Sequence, residues 1–464
     1  MKLAVNGSLL ILLNGCVGPY KPDIPQKVPN SWTVSLPVNG HTYSLDEWWK
    51  AFNDPTLDIL VNDALKNNLD IAKANLLLQK MSVLGRVSST SYFPSLSAGI
   101  KPMQSASARE NYLHAGISMS WELSLYGESA NRQQTARAHI LSTQAQEQAV
   151  RVSIVANVVQ NYLHYLHAGQ QLELIKRQQI LEVRLQNLET IRKNTHIGSF
   201  EEPIVSRLRV AHLEALIVDL KNSQAQSLRM LGLLTMHQHD GLEKQLYHRN
   251  IKVPIIQIKE IPADLLRIRP DIRQAEADLL QSAAEVGLAK AALYPRFELS
   301  GSLIYAYKLT HHSGQSSTHA IPGLGPVIDI PLWDWGQRLA NKKAKEHELQ
   351  AALLAYRKTV LDSIRETEDA LFSLASQDNY LKIQNAAFED QKRLQVMQGT
   401  LTSLGLSSEY ELLHVKKDVF QMQSKVFEAR FNYALALINL YKALGGAPLS
   451  ALSNSLNLNV VGPK

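Results

Sequence analysis

Two long stretches of this chain contain no proline, and they constrain its fold more than any other feature of the sequence. Proline is absent from residues 103–202 and again from residues 332–447. Because a proline inside a helix costs about 3 kcal/mol or more, such gaps permit very long helices. In the first gap, leucines and valines repeat at intervals of seven: Val152, Val159 and Leu166, then Leu174, Leu181 and Leu188. Heptad spacing predicts an apolar seam facing a neighbouring helix, on a helix from about Ser129 to Lys193.

Each proline-free stretch also contains a glycine–serine turn, and the two turns predict two helical hairpins. In the first turn, we expect Gly198 to end one helix in the left-handed conformation. We expect Ser199 and Glu202 to form a capping box at the start of the next helix. The same three roles in the second turn fall to Gly405, Ser408 and Glu411.

The chain also contains an internal duplication. Residues 70–94 align without gaps on residues 271–295, an offset of 201, with five identical positions. The predicted elements follow the same order in both halves: helix, aromatic-proline pair, strand, loop, strand, glycine, long helix, turn and helix. A conserved order of this kind is typical of a repeated structural unit.

Apolar and polar residues alternate in the segments between the helices, which predicts four β-strands. The alternation is clear at 96–101, 117–123 and 297–305, whereas prolines interrupt a fourth run at 327–333. A soluble antiparallel sheet with one buried face alternates in this way, and so does a membrane barrel with a polar interior. Four strands cannot close a membrane barrel, because the smallest use about eight and lipid tolerates no open sheet edge. A barrel would therefore require several copies of the chain.

The N-terminus has the pattern of a bacterial export signal. Lys2 precedes a mostly apolar run from Leu3 to Leu13 that is too short to span a membrane. Asn14, Gly15 and Cys16, the one cysteine in the chain, follow it. The residues before Cys16 resemble the lipoprotein box, in which the cysteine is acylated and becomes the new N-terminus. The alternatives are a truncated secretory signal or a buried free cysteine. Five prolines between residues 19 and 37 predict an extended strap.

Composition and motifs argue against several other classes of protein. The net charge of +6 comes from scattered basic residues, so we expect solvated helix faces and no nucleic-acid partner. Phosphate-loop, dinucleotide-binding and nucleophile-elbow motifs are absent from the sequence. We expect the paired histidines to lie in exposed loops, at the surface or at a subunit interface: His164 with His167, His237 with His239, and His311 with His312. The sequence therefore predicts no enzyme activity, no cofactor and no metal site.

Six motifs occur in order along the duplicated frame, at residues 16–19, 48–55, 121–127, 268–276, 331–336 and 441–446. Together they resemble the TolC-like outer-membrane efflux proteins, in the lipoprotein branch that serves resistance–nodulation–division pumps. The resemblance implies a mainly α-helical fold with a membrane β-barrel. Each chain of a homotrimer would give four strands to a twelve-stranded barrel and long antiparallel coiled-coil helices to a periplasmic tunnel.

The same resemblance implies a passive channel in the outer membrane that exports small molecules or drugs. Its partners would be outer-membrane lipid, a periplasmic adaptor protein and an inner-membrane resistance–nodulation–division pump. The hairpin turns match the periplasmic tips where adaptors dock, and the residues concerned are Ile197, Gly198, Ser199, Phe200, Leu404, Gly405, Leu406 and Ser407.

The helix after the second turn matches the segment that closes the periplasmic aperture. His414 stands where the family commonly has an aspartate, and Lys416 and Lys417 follow it, which puts a carboxylate-lined gate in doubt. If these residues face the lumen, a ring of three His414 side chains would become charged near pH 6–7. They would otherwise face outward or pack against a neighbour.

Two alternatives keep parts of this interpretation. A lipid-anchored periplasmic coiled-coil scaffold or adaptor would explain the heptads and Cys16 but not the two strand pairs. An outer-membrane duct of a type I protein secretion system would have the same architecture. The predicted segments are a signal peptide at 1–15, a lipidated strap at 16–45, a first repeat at 46–250 with strands at about 94–125, a second repeat at 251–450 with strands at about 295–333, and a tail at 451–464.

Overall fold

The computed structural model describes residues 45–88, 93–104, 111–237, 268–308 and 319–448. The export signal, Cys16, almost all of the proline-rich strap and the tail at 451–464 lie outside the described residues. The same holds for His239, His311 and His312. The predictions made for these positions stay predictions.

The first half of the described chain begins with a short 3₁₀ segment, Leu45–Phe52. It continues through α1 (Pro55–Asn67), α2 (Leu69–Ser88), β1 (Ser95–Gln104), β2 (Asn111–Leu123), α3 (Glu128–Asn194) and α4 (Glu202–Thr235). The second half consists of α5 (Pro270–Ala291), β3 (Arg296–Lys308), β4 (His319–Asp329), α6 (Gln337–Ser403) and α7 (Glu409–Ala443). The order helix, strand pair, long helix, turn and helix therefore occurs twice.

The long helix predicted from proline content and heptad spacing is confirmed. α3 has 67 residues and extends one residue beyond the predicted helix at each end, and α6 also has 67 residues. Val152, Val159 and Leu166 are buried in one apolar cluster. Leu181 and Leu188 pack together with Leu413 of α7 in another. The seven-residue spacing thus marks the face of α3 that contacts other helices.

The described residues belong to two compact units. One unit takes its described residues from 76–145 and 273–359, and it contains all four strands. The other takes its described residues from 45–75, 146–272 and 360–448, and it contains both hairpin turns. Each unit combines residues from both halves of the duplication.

The four strands form one antiparallel sheet in the order β1-β2-β3-β4. Ser95 lies opposite Ser120 in the first hairpin, and Arg296 lies opposite Asp329 in the second. β2 and β3 join the two hairpins, with Ser120 opposite Ser300. In the described part of the chain, β1 and β4 have no strand on their outer sides.

The predicted position of the fourth strand is wrong. β4 begins at His319 and ends at Asp329, so the last four residues of the predicted run, 330–333, lie outside it. The alternation of apolar and polar residues predicted this strand poorly because Pro322 and Pro326 lie within it. Proline cannot donate to a sheet ladder and is therefore tolerated mainly on edge strands, which is where β4 lies.

The two faces of the sheet have different chemistry. One face carries apolar side chains, including the exposed Leu96, Ile100, Ile117 and Leu324. The opposite face is rich in serine, and hydroxyl groups link neighbouring strands on it. Ser97 and Ser118 hydroxyl oxygens are 2.8 Å apart, and Ser120 donates to Glu298 Oε1 at 2.6 Å.

The unit without strands has a large apolar core in which the two ends of the described chain meet. Trp48 stacks on Tyr441 with ring centroids 4.9 Å apart, and its indole N–H donates to the Gly446 carbonyl oxygen at 3.1 Å. Arg269, also buried, bonds the Ala443 carbonyl oxygen and the Glu366 carboxylate. These bonds hold the end of α7 against the start of α5.

A search of the described residues finds no helix with both the length and the apolar character that crossing a membrane requires.

Candidate functional site

The first hairpin turn, between α3 and α4, differs from its prediction. His196, not Gly198, adopts the left-handed conformation, with a φ of 59°. The N–H groups of Ile197 and Gly198 both donate to the Arg192 carbonyl oxygen, at 2.9 and 3.0 Å. Gly198 fits for a different reason, because a Cβ there would lie 2.7 Å from Glu202 Oε2 and 3.0 Å from Arg192 Cβ. The turn therefore favours glycine at this position, because a side chain would displace the Glu202 carboxylate and crowd Arg192 Cβ.

The predicted capping box at Ser199 is also wrong. The N-cap of α4 is Glu201, which makes no side-chain cap, and Pro203 lies in the first turn of the helix. Ser199 Oγ instead accepts a hydrogen bond from the N–H of Glu201 at 3.2 Å. Because proline lacks an N–H and has a helical φ, Pro203 favours a helix start without a side-chain cap.

The second hairpin turn, between α6 and α7, agrees with its prediction. Gly405 has a left-handed φ of 72°. Ser408 Oγ accepts from the N–H of Glu411 at 3.2 Å, and Glu411 Oε2 accepts from the N–H of Ser408 at 3.1 Å. The Ser407 hydroxyl donates to the same carboxylate, and this bond helps to lower the pKa of Glu411. The capping box is therefore complete.

Both turns present large apolar side chains to solvent. Ile197 and Phe200 are exposed in the first turn, and Leu404 and Leu406 in the second. Lys193 lies over the Phe200 ring, with its ammonium 5.4 Å from the ring centroid. The tip residues thus combine a fixed backbone with exposed apolar groups.

His414, the central residue of the predicted aperture, is half-buried. Its ring contacts Tyr410 edge-on at 4.5 Å between centroids, and Lys417 Nζ lies 3.5 Å from its Nδ1. Its Nε2 is buried and has no hydrogen-bond partner. Burial, together with the Lys417 ammonium, lowers the pKa of His414 below its ordinary value. The structure therefore moves the expected charging of this imidazole to lower pH than the sequence suggested. Lys416, the third residue of the set, is part-buried on the same helix.

An ionic cluster that the sequence analysis missed lies close enough to affect His414. Arg209 of α4 binds two buried carboxylates of α3, with Nε 2.9 Å from Glu182 and Nη2 2.9 Å from Glu189. Although burial opposes it, hydrogen bonding to both carboxylates raises the pKa of Arg209. Glu182 and Glu189 are seven residues apart, beside Leu181 and Leu188. Two acidic residues adjoining a heptad seam were a signal that pointed to this cluster.

The histidine pair on α3 is part-buried in the single chain, and its predicted place at the surface or at a subunit interface stays a prediction. His164 and His167 both contact the Phe431 ring of α7, at 4.8 and 4.4 Å between centroids. Burial, with a contribution from His164, lowers the pKa of His167 to about 4. His237 is more exposed, and its Nε2 lies 2.8 Å from Asp63 Oδ2. Within the described ranges, no group of three or more His, Cys, Asp or Glu side chains is arranged to hold a metal ion.

Comparison with known proteins places these features in a family. The family model described as outer membrane efflux protein matches residues 60–234 and 261–446. The probable outer membrane lipoprotein SilC of Salmonella typhimurium is 26% identical over 461 residues, covering 95% of this chain and 97% of SilC. The pyoverdine export outer membrane protein OpmQ of Pseudomonas aeruginosa is 24% identical over 470 residues, covering 95% of each chain.

A solved structure of the outer-membrane channel OprN has the same fold. Its TM-score against this chain is 0.80 at 22% sequence identity, covering 94% of this chain and all of that one. Because the family model matches well over half of the sequence, the chain belongs to the outer membrane efflux protein family. The predicted family, fold class, outer-membrane location and role in efflux are thereby confirmed.

Proposed function

We propose that three copies of this chain form a passive export channel in the outer membrane. A periplasmic adaptor protein connects the channel to an inner-membrane pump of the resistance–nodulation–division class, and the pump supplies the energy. The cargo is a small molecule or drug, and the channel has no enzymatic role. The two repeats, 46–250 and 251–450, each contribute one strand hairpin and one helical hairpin.

The exposed apolar face of the sheet is the observation that carries this proposal. A soluble antiparallel sheet buries its apolar face against other parts of the protein. Here Leu96, Ile100, Ile117 and Leu324 on that face are all exposed in the described structure. Lipid would cover such a face without any further protein, as it does on the outside of a membrane barrel.

The outer edges of the sheet require several copies of the chain, and the family resemblance sets their number at three. A β-strand edge with unpaired N–H and C=O groups is not stable in lipid. Pairing β4 of one copy with β1 of the next removes both edges when three copies close into a ring. Four strands per chain then give twelve in the barrel. The serine-rich face, which also carries Glu122 and Glu298, would line the lumen.

Cys16 and the hairpin tips are proposed to make the remaining contacts. A lipid on Cys16 would add an anchor in the outer membrane, in keeping with the lipoprotein named among the relatives. The two tips, Ile197–Phe200 and Leu404–Ser407, would dock an adaptor through their exposed apolar side chains. Burial of such residues is the usual source of affinity at the centre of an interface.

The helix after the second turn is proposed to line the periplasmic aperture. His414, Lys416 and Lys417 would give this aperture a weakly basic character where a carboxylate ring is usual. Because burial, together with the Lys417 ammonium, lowers the pKa of His414, its positive charge should appear at lower pH than that of an ordinary imidazole.

Membrane location and native mass test the channel proposal directly. We expect the detergent-extracted protein in the outer-membrane fraction as a trimer that resists dissociation. A monomer or dimer from the inner membrane would favour the scaffold or adaptor alternative. A Cys16→Ser variant should lose its lipid and still form trimers, because barrel insertion does not depend on the anchor. Failure of this variant to reach the outer membrane would show that the lipid is essential.

Single-channel conductance tests the aperture. We expect wild type and His414→Asp to differ in ion preference between pH 5.5 and 8, with the variant more cation-selective. The difference should grow at the acidic end, where His414 becomes positively charged. Identical ion preference across the range would place His414 away from the lumen.

A further inference from the structure

We infer that β4 pairs with β1 of the neighbouring copy in a defined register, and that Trp335 packs on Phe93 of the partner subunit. The inference rests on the proposed trimer and adds the register and the side chains of the seam between copies. The duplication provides a template, because β2 and β3 form an equivalent seam inside each chain.

Two constant differences in residue number, called offsets below, relate the strand hairpin β1-β2 to the strand hairpin β3-β4. Ser95 lies opposite Ser120, and Arg296 lies opposite Asp329. An offset of 201 (296 minus 95) takes β1 onto β3, and an offset of 209 (329 minus 120) takes β2 onto β4. Both offsets keep every apolar position of one hairpin on the apolar face of the other.

The sequence supports each offset independently of the sheet. The offset of 201 is the one found in the sequence duplication, between residues 70–94 and 271–295. The offset of 209 also takes Gly127 to Gly336, the glycines that follow the two hairpins (336 minus 127). These glycines both have a left-handed φ, of 75° and 81°. The hairpins therefore correspond in residue spacing through to these glycines, while the backbone differs at the residue before each one, since Trp335 has a left-handed φ and Tyr126 does not.

Applying the two offsets to the β2–β3 pairing inside one chain gives the β4–β1 pairing between copies. Ser120 of β2 lies opposite Ser300 of β3. The equivalent residues place Asp329 of β4 opposite Gly99 of the partner subunit. By the same operation, the pair Leu123 and Phe297 becomes Leu332 and Leu96 of the partner subunit.

The same two offsets relate an observed aromatic contact to a proposed one between copies. Tyr126, just after β2, stacks on Tyr294, just before β3, with ring centroids 4.7 Å apart. The equivalent residues are Trp335, just after β4, and Phe93, just before β1. In the single chain Trp335 is 89% exposed and Phe93 is 70% exposed, whereas Tyr294 is 39% exposed. Trp335 also has a φ of 55°, which is rare for a bulky residue.

Two equivalent glycines differ in the same way: one lies against a neighbouring strand, and the other has no neighbour in the single chain. A Cβ added to Gly116 of β2 would lie 2.5 Å from the Leu303 carbonyl oxygen of β3. The equivalent Gly325 of β4 has nothing within 4 Å. A glycine inside a strand often marks the close approach of another backbone. At Gly325 that backbone would be β1 of the neighbouring copy.

The early end of β4 also fits this register. β2 continues to Leu123 because β3 pairs with its last residues, whereas β4 ends at Asp329, the equivalent of Ser120. Leu332, equivalent to Leu123, is 86% exposed, compared with 37% for Leu123. In the trimer, Ile330 and Leu332 would gain a partner strand, whereas Pro331 between them has no N–H to donate to it.

Disulfide cross-linking tests the register. The variant Asp329→Cys with Gly99→Cys should form a disulfide between copies under mild oxidation, so that most of the chain runs as a covalent trimer without reductant. Two variants shifted by two residues, Asp329→Cys with Ser97→Cys and Asp329→Cys with Lys101→Cys, should not. Their Cα atoms would be about 7–8 Å apart, beyond the usual reach of a disulfide.

Matched controls separate the seam from general cysteine reactivity. Ser120→Cys with Ser300→Cys reproduces the pair inside one chain and should form a disulfide without raising the mass. The wild type reports any cross-linking through Cys16. For the aromatic contact, Trp335→Ala should lower the temperature at which the trimer dissociates in SDS, and adding Phe93→Ala should lower it little further.

Each outcome has a separate meaning. Covalent trimers from a shifted pair would overturn the register while leaving the proposed channel. The same holds if no cysteine pair between copies cross-links although the native mass is that of a trimer. A native mass of one chain would remove the trimer itself, and the inference with it. Additive losses from Trp335→Ala and Phe93→Ala would overturn the aromatic contact alone.

Discussion

Acid should destabilise this protein through His167, and the effect can be worked out from its burial. The pKa of His167 is lowered from 6.5 to about 4, mainly because burial penalises the charged ring and secondarily because His164 lies nearby. The ring stacks on Phe431, and its Nδ1 has no hydrogen-bond partner. The unfolded chain therefore binds a proton at higher pH than the folded chain. Stability is fully present above about pH 6.5 and falls as the pH decreases from there towards 4.

The size of the effect follows from the two pKa values. Between pH 7 and pH 5, His167 should remove about 2 kcal/mol of folding free energy per chain, and about 3 kcal/mol once the pH is below 4. A His167→Leu variant should lack this loss. At pH 7 we expect the variant to be nearly as stable as wild type, because it buries no unsatisfied nitrogen.

Thermal unfolding of the detergent-solubilised protein, followed by circular dichroism at pH 7 and pH 5, measures the difference. Wild type should lose more of its Tm on acidification than His167→Leu does. His212→Gln, which removes an exposed imidazole from α4, is the matched control and should behave like wild type. An equal loss of Tm in wild type and His167→Leu would refute the reasoning.

Two further predictions concern how the helix ends are held. Arg269→Met should destabilise the protein by about 2 kcal/mol, because it leaves the buried Ala443 carbonyl oxygen unsatisfied. Glu366→Gln should cost under about 1 kcal/mol, since that carboxylate is half exposed. Chemical denaturation of both variants measures the two losses. Ser408→Ala should cost about 1 kcal/mol through loss of the capping box, and Ser199→Ala much less because Ser199 does not cap α4. Hydrogen exchange in the first turns of α4 and α7 distinguishes the two, and similar protection changes would contradict the cap assignment.

The helices were predictable from sequence because their signals are local and repeated. The proline-free gaps set the largest extent that a helix could have, and seven-residue spacing marked the buried face of α3. The second turn was predictable for the same reason, since Gly405, Ser408 and Glu411 lie within one short segment. In the first turn the same residue types occur, yet Pro203 favours another helix start, and the left-handed position moves to His196.

Features that depend on long-range pairing were not predictable in the same way. The extent of β4 depends on which strand lies beside it, so two prolines and a missing neighbour disrupted the prediction. The cluster of Arg209 with Glu182 and Glu189 depends on which faces of α3 and α4 meet. Residue spacing showed that the two glutamates share a face, but not that an arginine 20 residues beyond Glu189 would bind both.

The Arg209 charge also contributes to the pKa of His414, which provides a test of the aperture that is independent of conductance. Besides burial and Lys417, the Arg209 charge lowers the pKa of His414, while Glu182 and Glu189 raise it. Arg209→Met would remove the lowering charge and leave both carboxylates without their partner. The pKa of His414 should therefore rise, and its positive charge should persist to higher pH than in wild type.

Diethyl pyrocarbonate reacts with the neutral imidazole, so its rate of modification at His414, followed by peptide mass spectrometry against pH, reports this pKa. The midpoint should move upwards in Arg209→Met and remain close to wild type in Arg209→Lys, which keeps the charge. An unchanged or lower midpoint in Arg209→Met would contradict the prediction that the Arg209 charge helps to hold down the pKa of His414.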